Sequence, residues 1–154
     1  MNIILLHNRT DLSTNVKALK NYTELQSLLS ELQKHNLGDE VARVINSHIQ
    51  RINSIPDGNN KLASHIKRAT RQIITYVEKT AKLAPINHYR NLWMSIGMAA
   101  FGIPFGVAFG TSIGNMGMMA VGIPIGLAVG LAIGTSKDKQ AKERGHQLNI
   151  EVGY

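Results

Sequence analysis

Apolar residues recur at spacings of three and four through the first half of the chain, and beyond residue 90 the charged residues between them vanish altogether. Tyr22, Leu25, Leu28, Leu29 and Leu32 form the first stripe, and Thr23 with Gln26 is placed as a capping box, so a helix is predicted over 23–35. Asn36 and Gly38 tolerate a left-handed stop. Asp39 can then cap a second helix, whose stripe is Val41, Val44, Ile45, Ile49 and Ile52 and which should end near Ser54. Pro56, Asp57, Gly58, Asn59 and Asn60 supply turn chemistry, and a third helix is predicted from about Asn60. Before all of these, the short run Ile3, Ile4, Leu5, Leu6 reads as a strand or a packed extended arm. It lacks the basic start, length and cleavage site of a signal peptide, so the polar part is expected in the cytoplasm.

The third helix has two faces. Leu62, Ile66, Ala69, Ile73 and Val77 lie on one, while Lys61, Lys67, Arg68, Arg71, Lys79 and Lys82 gather on the other. That basic face is either the solvated side of a three-helix bundle or a surface for anionic lipid. Nucleic acid is not expected, because Tyr76 is the single aromatic residue interleaved with these charges and single strands need stacking platforms.

From Asn91 to Ser136 the pattern is different in kind. These 46 residues contain none of the 27 charged residues and ten of the fourteen glycines. Glycines at 97, 102, 106, 110 and 114 recur twenty residues later at 117, 122, 126, 130 and 134, and the two segments share eleven identities in twenty, including Gly-Ile-Pro at 102–104 and 122–124. A flexible linker is excluded, since the companions are Ile, Val, Leu, Phe, Ala and Met rather than serine. A helix crossing ~30 Å of hydrocarbon needs about 20 residues, so the segment accommodates two crossings, read as 92–113 and 118–136 and joined at Gly114-Asn115-Met116-Gly117. Tyr89 and Trp93 make an interfacial aromatic pair. Arg90 before the first span and Lys137, Lys139, Lys142 and Arg144 after the second mark one membrane face, so both termini are expected in the cytoplasm, at the inner or plasma membrane.

Glycines at every fourth position put small residues in one stripe, which lets helix backbones approach closely in lipid, where no hydrophobic force draws helices together. Gly97, Gly102, Gly106, Gly110 and Gly114, with Gly117, Gly122, Gly126, Gly130 and Gly134, are therefore the candidate packing and oligomerisation residues. Pro104 and Pro124 sit early in each span and predict a bend, as a packing kink or a gating hinge. Met94, Met98, Met116, Met118 and Met119 read as adaptable filler.

Chemistry is sparse. The chain of 154 residues has no cysteine, which excludes disulfides and thiolate sites, and its six histidines lack the spacing of a helical metal site, so neither metal nor cofactor is expected. His48 falls on the second stripe as a bundle histidine. Neither span contains an ionisable group, which disfavours coupled transport, and Gly130 to Lys137 lacks Walker spacing, so no enzyme is expected. A net charge of +7 points instead to anionic lipid.

The glycine segment resembles the glycine-zipper repeats of small bacterial membrane proteins, in Gly102, Gly106, Gly110, Gly114 and Gly122, Gly126, Gly130, Gly134, followed by the charged run Lys137-Asp138-Lys139-Gln140-Ala141-Lys142. The resemblance implies a self-associating membrane hairpin and, for some members of that class, pore formation. The resulting expectation is an all-α protein: a cytoplasmic helical bundle over 1–85, a transmembrane hairpin over 86–136 and a charged cytoplasmic tail over 137–154. It would work as an oligomeric pore or as a non-conducting scaffold that clusters the bundle for a protein partner.

Overall fold

The computed structural model describes residues 3–9, 12 and 15–153, and the side chains of Met116 and Met118, read above as filler, fall outside the described set. The chain divides into two compact units, one comprising 1–84 with 148–153 and the other 85–147. The fold is all-α, with one small parallel sheet that periodicity did not predict.

The first unit is built on α1 (Val16–Gln33), α2 (Asp39–Asn53) and α3 (Leu62–Ala81). Helix α1 begins a full two turns before the predicted capping box. Asn15 is its cap, with the side-chain oxygen accepting from Ala18 N at 3.0 Å, and Ala18 extends the stripe one turn ahead of Tyr22. Thr23 is instead mid-helix, its hydroxyl donating to Leu19 O. Leu25, Leu28 and Leu32 of α1, Ile45, Ile49 and Ile52 of α2, and Leu62, Ile66 and Ile73 of α3 are almost wholly removed from water. Each such side chain contributes about 1.5–3 kcal/mol of burial, which makes this cluster the dominant stabilising term of the unit. Helix α3 stops where Lys82 takes a left-handed conformation (φ 59°), three residues before Pro85.

The amino-terminal arm is irregular rather than a strand. Its backbone is held by side chains of α2: Asn46 accepts from Ile4 N and Asn53 from His7 N, while Asn53 donates to Leu5 O. Ile3 reaches the core. Arg9 is the arm's anchor, buried with its guanidinium donating to Ile52 O and Ile55 O at 2.7 Å each and to Asp57 at 3.0 Å. A cation there completes the bonding of carbonyls at and just beyond the end of α2, Ile52 O also accepting from Ile55 N at 3.1 Å, and its charge complements the helix dipole. The Asp57 partner adds little, because its side chain is 62% exposed.

Of the residues expected as a tail, 137–154, those described, 137–153, are folded. Strand β1 (Ala84–Ile86) pairs with β2 (Gln147–Glu151), and Leu148 and Val152 are buried in the core of the first unit. Glu31 of α1 accepts from Lys34 at 2.6 Å and from Asn149 N at 3.1 Å, and these bonds, the one from Lys34 foremost, hold its carboxyl below the usual range. The apolar alternation of Leu148, Ile150 and Val152 marks this strand, but five residues are too few to separate from a polar tail by pattern alone.

His48 on α2 is half-buried, and burial, assisted by the charge of Arg51, lowers its pKa from 6.5. The folded chain therefore resists protonation that the unfolded chain accepts, so stability is lost as pH falls from about 6.5 through the folded value. His48→Gln should flatten that slope in melting curves taken between pH 7.5 and 5. Arg9→Met should destabilise the first unit by about 2–3 kcal/mol, read from denaturant-dependent amide exchange at its core, because it strands the Ile55 carbonyl and takes a charged donor from the Ile52 carbonyl.

Candidate functional site

The second unit consists of α4 (His88–Gly97), a π turn (Met98–Gly102), α5 (Ile103–Ile113), a 3-10 segment (Met116–Val121) and α6 (Gly122–Glu143). Its interior is made of glycine. Gly97, Gly102, Gly106, Gly110, Gly122, Gly126, Gly130 and Gly134 are all buried, while Phe101, Ile103, Phe105, Val107, Phe109, Ile113, Ile123 and Ile125 face outward. A Cβ built on Gly126 would lie 2.5 Å from Gly102 N and from Gly97 O, and one on Gly134 would lie 2.5 Å from the Arg90 Cα. Gly122 faces the backbones of Gly102 and Gly106, and Gly130 that of Trp93. The helices meet backbone to backbone, so most of the candidate packing glycines meet the other arm of the same hairpin.

The interval of five between Gly97 and Gly102 would turn a regular helix about 140° past a full turn and rotate Gly97 out of line. The π turn absorbs the extra residue: Ile103 N donates to Met98 O across five positions, and Gly97 stays buried with the others. The equivalent interval in the second repeat, Gly117 to Gly122, is wound as 3-10 helix and leaves Gly117 exposed, its N–H bonded to the Asn115 side chain at 3.0 Å. Gly114 is exposed too and serves as the left-handed cap of α5 (φ 67°), where Asn115 N reaches Gly110 O at 3.0 Å. These two glycines form the reversal rather than the packed face. Pro104 lies in the first turn of α5 and Pro124 in that of α6, directly after the π and 3-10 segments.

At the other end of the hairpin α6 runs past the predicted limit of 136 to Glu143, and Asp138 continues the every-fourth series of Gly122, Gly126, Gly130 and Gly134. Its carboxylate is buried and accepts from Tyr89 N at 3.0 Å and Arg90 N at 2.9 Å, capping the start of α4 from the opposite helix. Sequence reasoning placed Asp138 in the tail; its position as the fifth member of the glycine series was the available signal. Around it, Lys137 Nζ sits 5.5 Å from the Trp93 ring centre and Lys139 is exposed beside Glu143. Arg90 is half-buried. Of the other basic candidates, Arg68, Arg71, Lys79 and Lys82 are exposed on the first unit and Lys67 is half-buried there.

Two helical stretches, His88–Ile113 of 26 residues and Met119–Glu143 of 25, are long and apolar enough to cross a membrane, and only 17% and 22% of their apolar windows is buried in the protein. Core helices of a soluble domain would be mostly covered. At 1.5 Å per residue each is about 38 Å long, which exceeds the ~30 Å of a hydrocarbon core. The hydroxyls of Thr111 and Thr135 are spent on carbonyls of their own helices, at Val107 and Ala108 and at Leu131 and Ala132.

No family model, curated protein or solved structure matches this chain. The class that its own geometry defines is an all-α protein with an apolar-outside, glycine-inside helical hairpin capable by length and composition of membrane association.

Gly126→Leu should drive the two arms apart, seen as a longer distance between spin labels at the exposed positions Ala99 and Ala128, whereas Gly117→Ala should leave that distance unchanged. Asp138→Ala should release the first turn of α4, costing about 1–2 kcal/mol and raising amide exchange at Tyr89 and Arg90.

Proposed function

We propose that this chain is an integral membrane protein whose hairpin anchors the helical unit at one membrane face, with both termini cytoplasmic. The observation that carries the reading is the inversion of the hairpin: glycines fill its inside and bulky apolar side chains its outside, the arrangement lipid would favour and water would not. Tyr89, Arg90, Trp93, Lys137 and Lys139 belong to one end of the hairpin, while the reversal at Gly114–Gly117 carries no charge, which supports translocation of the loop.

Self-association is part of the proposal, through the outward faces rather than the glycine stripes. The stripes are already filled by intramolecular backbone contact, and Phe101, Phe105 and Phe109 make an exposed ridge with ring centres 6.4 and 6.5 Å apart. The anchor-and-scaffold form is favoured over the pore, because the hydroxyls of Thr111 and Thr135 are already bonded within their own helices, the exposed hydroxyls of Ser112 and Ser136 lie only at the ends of the spans, and a conducting path would need backbone carbonyls uncovered by parting the hairpin. In that conducting reading Pro104 and Pro124 would be the hinges. Catalysis plays no part in either.

Purified protein in liposomes should form cross-linked oligomers without releasing trapped dye or ions; release above that of empty liposomes would replace the scaffold with the pore. The cysteine-free chain allows a single cysteine to be placed at Asn115 or at Ser64 without background. In sealed cells an impermeant maleimide should label the first from outside and not the second, and labelling of neither or of both would remove the hairpin topology.

A further inference from the structure

Two helices of the first unit carry the same pattern, His-Ile-x-Arg, in the same role. His48-Ile49-Gln50-Arg51 lies on α2 and His65-Ile66-Lys67-Arg68 on α3. In each, the isoleucine is completely buried in the core, which turns the flanking histidine and arginine, three positions apart, toward one side of the helix. The two sides meet. His48, Arg51, His65, Arg68 and Gln72 line a single cleft of about 260 Å³, floored by Ile52 and Ala69.

Two guanidiniums and two imidazoles thus share one depression, and no carboxylate lines it. Among the described residues neither Arg51 nor Arg68 forms an ion pair, although Asp39, Glu40 and Asp57 are all exposed on the same unit. Gathering like charges without a counter-charge is unfavourable, and the histidine already registers it, since Arg51 is one of the two influences that lower the His48 pKa. An anion would remove that cost. The donor set matches a particular kind: paired guanidiniums present planar forks that suit a tetrahedral oxyanion, and imidazoles and the Gln72 amide add single donors for its remaining oxygens. The volume falls short of the ~300–1,000 Å³ that encloses a whole small molecule, so the cleft takes a group rather than a complete nucleotide.

We propose that the cleft between α2 and α3 is a binding site for a phosphate monoester, held by Arg51 and Arg68 with His48, His65 and Gln72 completing the shell. The same chemistry is offered by an anionic lipid headgroup such as phosphatidate and by a soluble phosphorylated metabolite. The site lies wholly within the first unit, so it stands or falls independently of whether the hairpin conducts.

The test uses the full chain in neutral maltoside micelles, titrated with glycerol 3-phosphate and, in parallel, with micelles doped with phosphatidate or with phosphatidylcholine. Saturable binding of a phosphate monoester is expected, with the ring signals of His48 and His65 moving together and those of His7 and His146 staying still. Arg51→Gln combined with Arg68→Gln should weaken binding about tenfold or more. Lys17→Gln combined with Arg43→Gln removes the same charge from exposed positions outside the cleft and should change it less than about twofold. Tighter binding to phosphatidate micelles than to glycerol 3-phosphate assigns the lipid as source, and equal binding assigns the soluble ester. The proposal is overturned by absence of saturable binding, by equal weakening in the two double variants, or by histidine shifts that spread over the whole chain. The His48 and His65 signals of the unmodified protein decide the matter even if the cleft variant fails to fold.

Discussion

Backbone-to-backbone contact between the two arms of the hairpin is the constraint on which the second unit rests. Main chains approach this closely only where Cβ atoms are missing, and at Gly97, Gly126 and Gly134 the opposing partner is itself main chain, which cannot rotate aside as a side chain can. Everything bulky is consequently displaced to the outside, and the reversal is confined to a glycine cap followed by an asparagine turn. At the far end the same line of positions that carries glycine carries Asp138, so the stripe that brings the helices together finishes in a carboxylate that fastens them.

The first unit obeys the opposite logic. Its helices are kept apart by leucine and isoleucine, whose removal from water is the principal favourable term, and its polar groups act as fasteners at the edges: Asn15 on α1, Arg9 on the end of α2, Glu31 on the returning strand. One protein thus uses large side chains to exclude water and, some twenty residues further on, small ones to bring backbones together. Charge follows that division, with the ionisable groups on the bundle and at one end of the hairpin.

The parts legible in the sequence were those with a long period. Three helical stripes, the twenty-residue repeat and the two uncharged spans could be read from spacing, whereas the cap of α2 is Gly38 and the expected cap residue, Asp39, is already the first residue of the helix. What escaped depended on contacts between residues far apart in the chain. Arg9 and Asp138 look like ordinary charged residues until their partners, some fifty positions away, are in place. The start of α1 was missed because Ala18, nearly apolar-neutral by composition, extends the stripe without announcing it. The paired His-Ile-x-Arg segments were visible as letters, but their convergence depends on α2 and α3 packing side by side.

The π turn at Met98–Gly102 also says something about length. Its extra residue is tolerated because the hydrogen-bonding ring widens by one position and the glycines on either side remain aligned. Removing one residue among Ala99, Ala100 and Phe101 would therefore return the arm to ordinary α-helix with an unbroken interval of four, whereas a deletion between Gly102 and Gly110 would rotate everything beyond it away from the opposing strand of glycines. A change of length in this arm is accordingly accommodated in this single turn, which acts as the arm's expansion joint.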